Sequence, residues 1–343
     1  MILSDITLKQ FRSHSDVRFV FDEKITFITG QNGSGKTNLL EAIYMLLYGT
    51  SFRGGDGDVL QHGMPWWKIN GTIDESVREL RYQPDHSPPK QLITHDTKKR
   101  FTYQQRLPVV LFEPSDLLII SGSPTRRRAF IDTIARTLQP GYQQLLTKYE
   151  RTLKQRAALL KRHNQTASLE DMIFVWDVTL SELGAQIIDQ RQKCVQRLNE
   201  DLSAYYSQLA GTKTEIYVAY ETQFHDDIQT KLLRALHKNL AIDRARHTTS
   251  VGPHRDDLDI QINGISAKTT ASRGEVRSIV LSLKATYSRA IETALGTTPI
   301  LLLDDVYSEL DTDRQAHLAN LFSNQQLIIS DTRSHSGGKT IKL

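Results

Sequence analysis

The stretch Gly30-Gln31-Asn32-Gly33-Ser34-Gly35-Lys36-Thr37 decides the fold of this chain. It matches the pattern G-x-x-x-x-G-K-[ST] of a phosphate-binding loop, or P-loop. A short apolar segment, Ile25 to Thr29, precedes it, and an apolar segment without Gly or Pro, Leu39 to Leu47, follows it. The sequence therefore predicts a strand, a loop and a helix that begins just before Thr37 and ends at Gly49.

The residue types of this loop are suited to binding phosphate. Glycines allow successive backbone N–H groups to curve around phosphate oxygens, and the start of the following helix points its free N–H groups the same way. Lys36 supplies a positive charge for the β- and γ-phosphates, and the Thr37 hydroxyl is a ligand for Mg²⁺. We therefore expect ATP and Mg²⁺ as cofactors. The predicted nucleotide-binding residues of this segment are Gly30, Gln31, Asn32, Gly33, Ser34, Gly35, Lys36, Thr37 and Asn38.

A second motif lies far downstream, where the apolar segment Ile300 to Leu303 is followed by Asp304 and Asp305. A buried strand that ends in acids is the Walker B arrangement, in which the first acid holds Mg²⁺ directly or through water. The second acid is then placed to orient or deprotonate the attacking water. We predict Lys36, Asp304 and Asp305 as catalytic residues, and Thr37 and Asp304 as metal ligands.

Two further segments are typical of ABC-type ATPases. Ser272 and Gly274 open a long predicted helix, as in the ABC signature, where such residues contact the γ-phosphate bound on the partner subunit. Taken alone, this segment is also compatible with an ordinary N-capped helix. Residues 307–311, Tyr-Ser-Glu-Leu-Asp, follow the two acids in the order typical of ABC-type chains.

Composition excludes several classes of protein. The chain has 343 residues, of which 39% are hydrophobic and 24% charged, so we expect a globular protein of about two domains. No apolar run reaches the roughly 18 residues of a membrane-spanning helix, and the first residues lack the pattern of a secretory leader. The single cysteine, Cys194, excludes an internal disulfide framework and a zinc site with two or more thiolates. We expect a cytoplasmic protein.

Positive charge is concentrated in one part of the chain. The formal net charge is only +4, yet the segment from Lys98 to Arg162 carries 14 Lys or Arg residues against 4 Asp or Glu. Such an excess indicates either an anionic polymer as partner or a solvated basic face. Arg126, Arg127 and Arg128 open a predicted helix, where positive charge is unfavourable for the helix dipole. We therefore predict that these three arginines contact DNA phosphates.

The order of predicted elements divides the chain. Strands and helices alternate near both ends, whereas residues from about 125 to 210 have helical spacing of apolar residues. We predict an α/β fold, an ABC-type P-loop ATPase head with a mixed sheet, plus an inserted, mainly helical arm domain. The head, lobe I, is expected to comprise residues 1–110 and 245–343, and the inserted lobe II residues 111–244.

Several blocks of the sequence resemble the RecF family of bacterial DNA-repair proteins, and they keep the family order from residue 1 to about 325. Together they are more specific than any single motif. The blocks are residues 30–44, 51–53, 112–117, 122–128, 252–257 and 301–311.

The resemblance implies an SMC-like head without a long coiled coil, active in DNA replication, DNA-damage repair and the SOS response. It implies an ATP-dependent homodimer that clamps duplex or gapped DNA without sequence specificity and hydrolyses ATP slowly to release it. RecO- and RecR-type mediator proteins are the implied partners, in loading RecA at gaps. Arg12 lies where SMC-like heads place a basic residue near the nucleotide, although a surface arginine is equally compatible.

The sequence departs from the family in the signature segment, where Arg273, Glu275 and Val276 replace the usual glutamines. Two other functions also remain open. A transport ATPase subunit would need a coupling apparatus that is absent from the sequence, and a small-molecule P-loop kinase would not need the segments 271–277 and 307–311. Only a DNA clamp predicts that ATP and duplex DNA bind cooperatively.

Overall fold

The computed structural model describes the chain except for positions 96, 163–166, 308, 309, 311, 334 and 336 and the side chains of 167 and 168. The chain forms two compact units. The first unit comprises Met1–Asp116, Tyr205–Thr212 and Val280–Leu343, and the second comprises Leu117–Ala204 and Lys213–Ile279.

The first unit contains an antiparallel sheet of six strands in the order β2-β1-β4-β5-β6-β7. Its central strands alternate buried and more exposed side chains, as expected for strands with one face on a core. The strands are β1 (Leu3–Phe11), β2 (His14–Val20), β4 (Trp67–Ile73), β5 (Ser76–Tyr82), β6 (Lys90–Thr94) and β7 (Thr97–Arg100).

The same unit contains a parallel sheet of five strands in the order β14-β3-β13-β12-β8. Its inner strands are almost continuously apolar, which is typical of parallel strands covered on both faces. The strands are β3 (Ile25–Thr29), β8 (Val109–Phe112), β12 (Ile300–Leu303), β13 (Leu327–Asp331) and β14 (Lys339–Lys342). The predicted mixture of parallel and antiparallel strands is therefore present and is divided between two sheets.

Helix α1 (Lys36–Tyr48) packs into the core that both sheets share. Its buried residues, such as Leu39 and Ile43, belong to one cluster with Ile6 of β1 and Leu302 of β12. The helix ends at Gly49, which has a left-handed φ of 87° and donates its N–H to the carbonyl of Met45. The strand, loop and helix predicted around the P-loop are confirmed.

The second unit is mainly helical and also contains a small antiparallel sheet in the order β11-β10-β9. Two 3-10 helices, Tyr103–Gln105 and Pro114–Leu117, precede it in the chain. Within the described residues, no helix combines the length and apolar character needed to cross a membrane. The elements are α2 (Leu118–Ser121), α3 (Pro124–Leu138), α4 (Tyr142–Leu160), α5 (Ala167–Ala210), β9 (Ile216–Glu221), α6 (Ile228–Lys238), α7 (Leu240–Arg246), β10 (Asp257–Ile262), β11 (Ile265–Ser266) and α8 (Ala267–Thr270). The last residues of α5, from Tyr205 onward, are assigned to the first unit.

The two units divide the chain differently from the predicted lobes. Residues 245–279, expected in the head, belong to the second unit because β10 pairs with β9 from Asp257 opposite Glu221 onward. Residues 111–116, expected in the insertion, belong to the first unit because β8 pairs with β12. Helix α9 (Arg273–Leu295) contains the last boundary, and α10 (Thr312–Leu321) lies in the first unit. The predicted α/β class is confirmed.

Candidate functional site

The P-loop follows β3 and has the backbone conformation that its glycines permit. Gly33 and Gly35 have left-handed φ angles of 85° and 103°. A Cβ atom on Gly35 would lie 2.9 Å from Ser13 Oγ and 3.2 Å from His14 Nε2, so a side chain there would be both strained and crowded. Gly35 is the N-cap of α1, and no side chain caps this helix end. The N-terminus of α1 is therefore available to an external acceptor.

Lys36 is buried, with 5% of its surface exposed. Its Nζ donates to the carbonyl oxygens of Gly30 at 2.9 Å and Gln31 at 3.1 Å. Among the described residues, no carboxylate forms an ion pair with this ammonium group. The loop thus holds a positive charge whose partners, within the described ranges, are carbonyl dipoles.

The structure brings Thr37 of the P-loop and Asp304 together. The Thr37 hydroxyl donates to Asp304 Oδ1 at 3.1 Å, although the two residues are 267 positions apart. The contact forms because β3 and β12 flank β13 in one parallel sheet, so that their carboxyl ends reach the same edge. Asp304 itself is only 5% exposed. A hydroxyl and a carboxylate side by side are hard oxygen donors of the type that Mg²⁺ prefers.

Ser330 also lies at this edge, and the sequence analysis did not select it. Its hydroxyl donates to Asp304 Oδ1 at 2.6 Å and accepts the backbone N–H of Asp305 at 3.0 Å. Asp305 has a left-handed φ of 50° and is half-buried. Ser330 therefore fixes both acids of the Walker B motif. Its position near the end of β13 was the available signal, since polar residues that end neighbouring parallel strands converge.

Glu113 is a second residue that the sequence analysis did not select as a site residue. It follows β8, the strand next to β12, and it accepts a hydrogen bond from the Ser115 hydroxyl. Burial raises the pKa of Glu113 above its usual value, the Ser115 bond opposes this change, and the negative charge of Asp304 adds to it. Glu113 is thus a half-buried carboxyl group whose pKa is raised by burial and by the nearby charge of Asp304.

Arg12 is held at the base of α1. Its Nε and Nη2 donate to Glu41 at 2.9 and 2.8 Å, and its Nη1 donates to the Asp58 carbonyl at 2.6 Å. Glu41 is completely buried and also accepts the Ser51 hydroxyl at 2.5 Å. The hydrogen bond to Glu41 raises the pKa of Arg12. Arg12 therefore lies beside the P-loop helix with three of its five N–H groups in these hydrogen bonds, and its contact with the nucleotide stays a prediction.

Three residues of the P-loop segment are exposed, namely Gln31, Asn32 and Gly33, whereas Ser34 and Thr37 are half-buried. Asn38 is half-buried as well. Its amide donates to Ser13 Oγ at 3.1 Å, and its carbonyl accepts Arg53 Nη1 at 3.1 Å. Asn38 thus ties the first turn of α1 to the turn after β1.

Ser272 and Gly274 belong to the second unit. Ser272 is exposed; its backbone N–H donates to Glu275 Oε2 at 2.8 Å, and its Oγ accepts the Glu275 N–H at 3.3 Å. This is a capping box, which the glutamate at position 275 completes. Of the predicted ABC continuation, positions 308, 309 and 311 lie outside the described residues.

The structure corrects part of the predicted DNA-contacting triplet. Arg127 is 4% exposed, and its Nε and Nη2 donate to the two Asp257 oxygens at 2.7 Å each. The predicted DNA contact is therefore wrong for Arg127, because its guanidinium is buried in an ion pair. Arg128 is half-buried and donates to the Asp256 carbonyl at 2.7 Å, whereas Arg126 is exposed.

Comparisons with known proteins agree with this geometry. A family model described as an AAA domain matches residues 5–106. The DNA replication and repair protein RecF of Ruminiclostridium cellulolyticum is 34% identical over 99% of this chain and 95% of its own length. RecF of Desulforamulus reducens is 36% identical over 100% of this chain and 95% of its own length.

Solved structures extend the likeness to the fold. The recombination mediator protein RecF–ATPrS of the RecFOR pathway has a TM-score of 0.88 and 30% identity, covering 99% of this chain and 95% of that chain. An Smc head bound to the C-winged helix domain of ScpA has a TM-score of 0.57 at 16% identity, covering 97% of this chain and 90% of that chain. The second likeness concerns the fold alone, which is similar to that of an Smc head. With relatives above 30% identity along nearly its whole length, the chain belongs to the RecF family of DNA replication and repair proteins.

Proposed function

We propose that this chain is an ATP-dependent DNA-binding protein of recombinational DNA repair and replication-fork maintenance, which binds ATP with Mg²⁺ and hydrolyses it slowly. The observation that carries the proposal is the hydrogen bond of 3.1 Å between Thr37 Oγ1 and Asp304 Oδ1. It joins two motifs from opposite ends of the chain into one set of oxygen donors at the mouth of a P-loop.

The residues present fit the expected cofactors. The uncapped start of α1 and the Lys36 ammonium are suited to bind triphosphate oxygens, and Thr37 with Asp304 would hold Mg²⁺. When bound, Mg²⁺ would neutralise charge on the phosphates and help to orient them.

The remaining roles belong to side chains near this donor set. Lys36 would exchange its carbonyl partners, Gly30 and Gln31, for phosphate oxygens. Asp305, whose backbone Ser330 fixes, would orient a water molecule and accept its proton.

The proposal includes assembly. Ser272 is exposed on its own chain and caps α9, so its hydroxyl can still donate to a phosphate bound by a second copy. We propose that Ser272 and Gly274 act in this way in an ATP-bound homodimer, and that hydrolysis reopens it as a timer. A solved relative is named as a mediator of the RecFOR pathway. By that likeness we propose RecO- and RecR-type partners, RecA loading at gaps and a cytoplasmic location.

The test measures binding of the full-length chain to a fluorescent duplex, with and without ATP–Mg²⁺. We expect ATP to tighten binding by about tenfold, within the usual range of coupling between two ligands. Lys36→Ala should remove the response to ATP. Lys24→Ala, which changes an exposed lysine of the same unit, should retain it. Binding that is absent, or equal with and without ATP in the unsubstituted chain, would contradict the proposed clamp.

A further inference from the structure

The basic segment from Lys98 to Arg162 separates into engaged and free charges in the structure. Several of its arginines are used inside the protein. Arg106 lies 3.9 Å from the centre of the Tyr48 ring, and Arg156 is completely buried in ion pairs. Arg127 and Arg128 also form hydrogen bonds within the protein. The number of positive charges accessible to a partner is therefore smaller than the charge excess of the segment.

Three of the exposed charges lie on the outer face of α4. Lys148, Arg151 and Lys154 are all exposed and are spaced three residues apart, so they lie on one side of the helix. We call these three residues the α4 basic stripe. None of the three forms an ion pair with any residue that the structure describes. Glu150 is the single acid in the helix.

Buried contacts fix the rotation of α4 about its axis. Tyr149, Thr152, Arg156 and Leu160 face inward, and Arg156 donates to Asp177 at 2.5 Å and Asp243 at 2.7 Å. These contacts turn the basic stripe outward. Lys161 and Arg162, also exposed, extend the positive charge beyond the helix end. From Lys148 to Lys154 the basic stripe spans roughly 9 Å along the helix axis, close to the length of three base pairs of duplex.

We propose that the α4 basic stripe is a surface on which the phosphate backbone of duplex DNA binds. This inference rests on the proposed DNA-binding function and assigns a surface to it. Long, unpaired cationic side chains on one rigid face match a regular row of phosphates, and they carry no information about base sequence. The surface replaces Arg127 as a predicted contact.

Strand β7 is the competing basic surface, with Lys98, Lys99 and Arg100 all exposed. Two features count against it. Side chains of a strand alternate between its faces, so only two of the three point the same way. In addition, β7 is the edge strand of its sheet, where lysines serve to prevent edge-to-edge pairing. Protection of the edge strand therefore accounts for these three basic residues without a ligand.

The equal charge of the two surfaces supplies a matched experiment. The variant K148Q/R151Q/K154Q removes three charges from α4, and K98Q/K99Q/R100Q removes three from β7. Glutamine has a helix propensity close to those of Lys and Arg, so α4 should keep its structure, as thermal unfolding can verify. Duplex affinity is measured by fluorescence anisotropy with full-length protein over a series of salt concentrations, with ATP–Mg²⁺ present.

The α4 variant should bind duplex about tenfold more weakly near physiological salt. Its slope of log affinity against log salt should become less steep by about 2 to 3, since each lost phosphate contact removes roughly 0.9. The β7 variant should keep the slope of the unsubstituted chain. Each single substitution in α4 should produce about a third of the change in slope seen in the triple variant.

Other outcomes would overturn the assignment. Equal losses in both variants would show a diffuse electrostatic effect, and a larger loss in the β7 variant would place the DNA on that edge. If the α4 variant binds duplex with the affinity and salt dependence of the unsubstituted chain, the DNA binds to another surface. If the unsubstituted chain binds no duplex at all, the proposed DNA-binding function fails, and the surface fails with it.

Discussion

Lys36 in the first unit and Arg156 in the second are both buried cations, and the protein treats them differently. Arg156 donates to Asp177 and Asp243 and to the Thr249 hydroxyl, and its side chain has no exposed surface. Lys36, among the residues that the structure describes, donates only to the carbonyls of Gly30 and Gln31. One charge is neutralised by carboxylates, and the other has no anionic partner in the described part of the chain.

This contrast extends to the surroundings of each cation. In the second unit Arg191 donates twice to Asp132, at 2.8 and 3.0 Å, in the same bidentate manner as Arg127 to Asp257. Such pairs hold elements together, and they offer nothing to a ligand. In the first unit the helix end beside Lys36 is uncapped, and Asp304 is bonded by hydroxyls rather than by a cation. An incomplete set of partners therefore marks the functional site more clearly than charge does.

The largest effect expected from this contrast is on stability, in Arg156→Met. Removing one partner leaves the Asp177 and Asp243 carboxylates buried and close together, which should cost about 3–5 kcal/mol of unfolding free energy. The second unit should lose this stability, as measured by peptide-resolved hydrogen exchange in increasing urea.

The matched control is Arg151→Met, which changes the same residue type on the exposed face of the same helix. Its cost should stay within about 0.5 kcal/mol. Equal losses in the two variants would mean that Arg156 contributes through its helix rather than through its ion pairs.

Much of the fold could be predicted because its signals are local. The apolar strand before the P-loop, the helix ending at Gly49 and the acids after Leu303 each depend on neighbours in sequence. The pairing of β9 with β10 does not. The two strands are six residues each and are separated by α6 and α7, so nothing local in the sequence indicates that residues near 257 pair with β9.

The site shows the same division between motif and context. Lys36, Thr37 and Asp304 were predicted because each motif specifies chemistry, and the structure brings Thr37 and Asp304 into contact. Glu113 lies in a family block, residues 112–117, that specifies no chemistry, and Ser330 lies in none of the quoted blocks, so their place at the site depends on the strand order. Arg127 was misassigned because a run of arginines does not reveal burial. Its partner, Asp257, is 130 residues away.

His254 adds a third way to bury a basic group, namely in neutral form. Its Nε2 lies 3.0 Å from the Thr249 carbonyl and must donate, so Nδ1 accepts the Tyr149 hydroxyl at 2.8 Å. Burial lowers the pKa of His254 to about 4; the Thr249 carbonyl and Asp243 oppose the shift, whereas Arg255 and Arg128 add to it. Because the unfolded chain binds this proton more readily, stability should fall as pH decreases from about 6.5 toward 4.

The expected size of this effect at pH 5 is about 2 kcal/mol relative to pH 7.5. His254→Asn keeps a polar side chain but cannot titrate. Between pH 7.5 and pH 5, the second unit of this variant should therefore lose about 2 kcal/mol less unfolding free energy than that of the unsubstituted chain. His62→Asn, at an exposed histidine, should retain the full pH dependence of the unsubstituted chain. The measurement is the unfolding free energy of each protein at several pH values. Parallel curves for the His254 variant and the unsubstituted chain would show that His254 is not the group that titrates.

The smallest expected effect is the change in stability of Lys36→Met, and it tests the comparison between Lys36 and Arg156 most directly. Methionine keeps an apolar stem in the loop and removes an ammonium group that no carboxylate compensates. Without nucleotide, the unfolding free energy of the first unit should therefore fall by no more than about 1 kcal/mol, and an increase is equally consistent with the comparison. Saturating ATP–Mg²⁺, at 100 times the dissociation constant, should stabilise the unsubstituted chain by about 2.7 kcal/mol and leave the variant unchanged. A nucleotide-free loss as large as that of Arg156→Met would mean that loop carbonyls compensate Lys36 fully. The charge would then stabilise the fold and would not be reserved for a ligand.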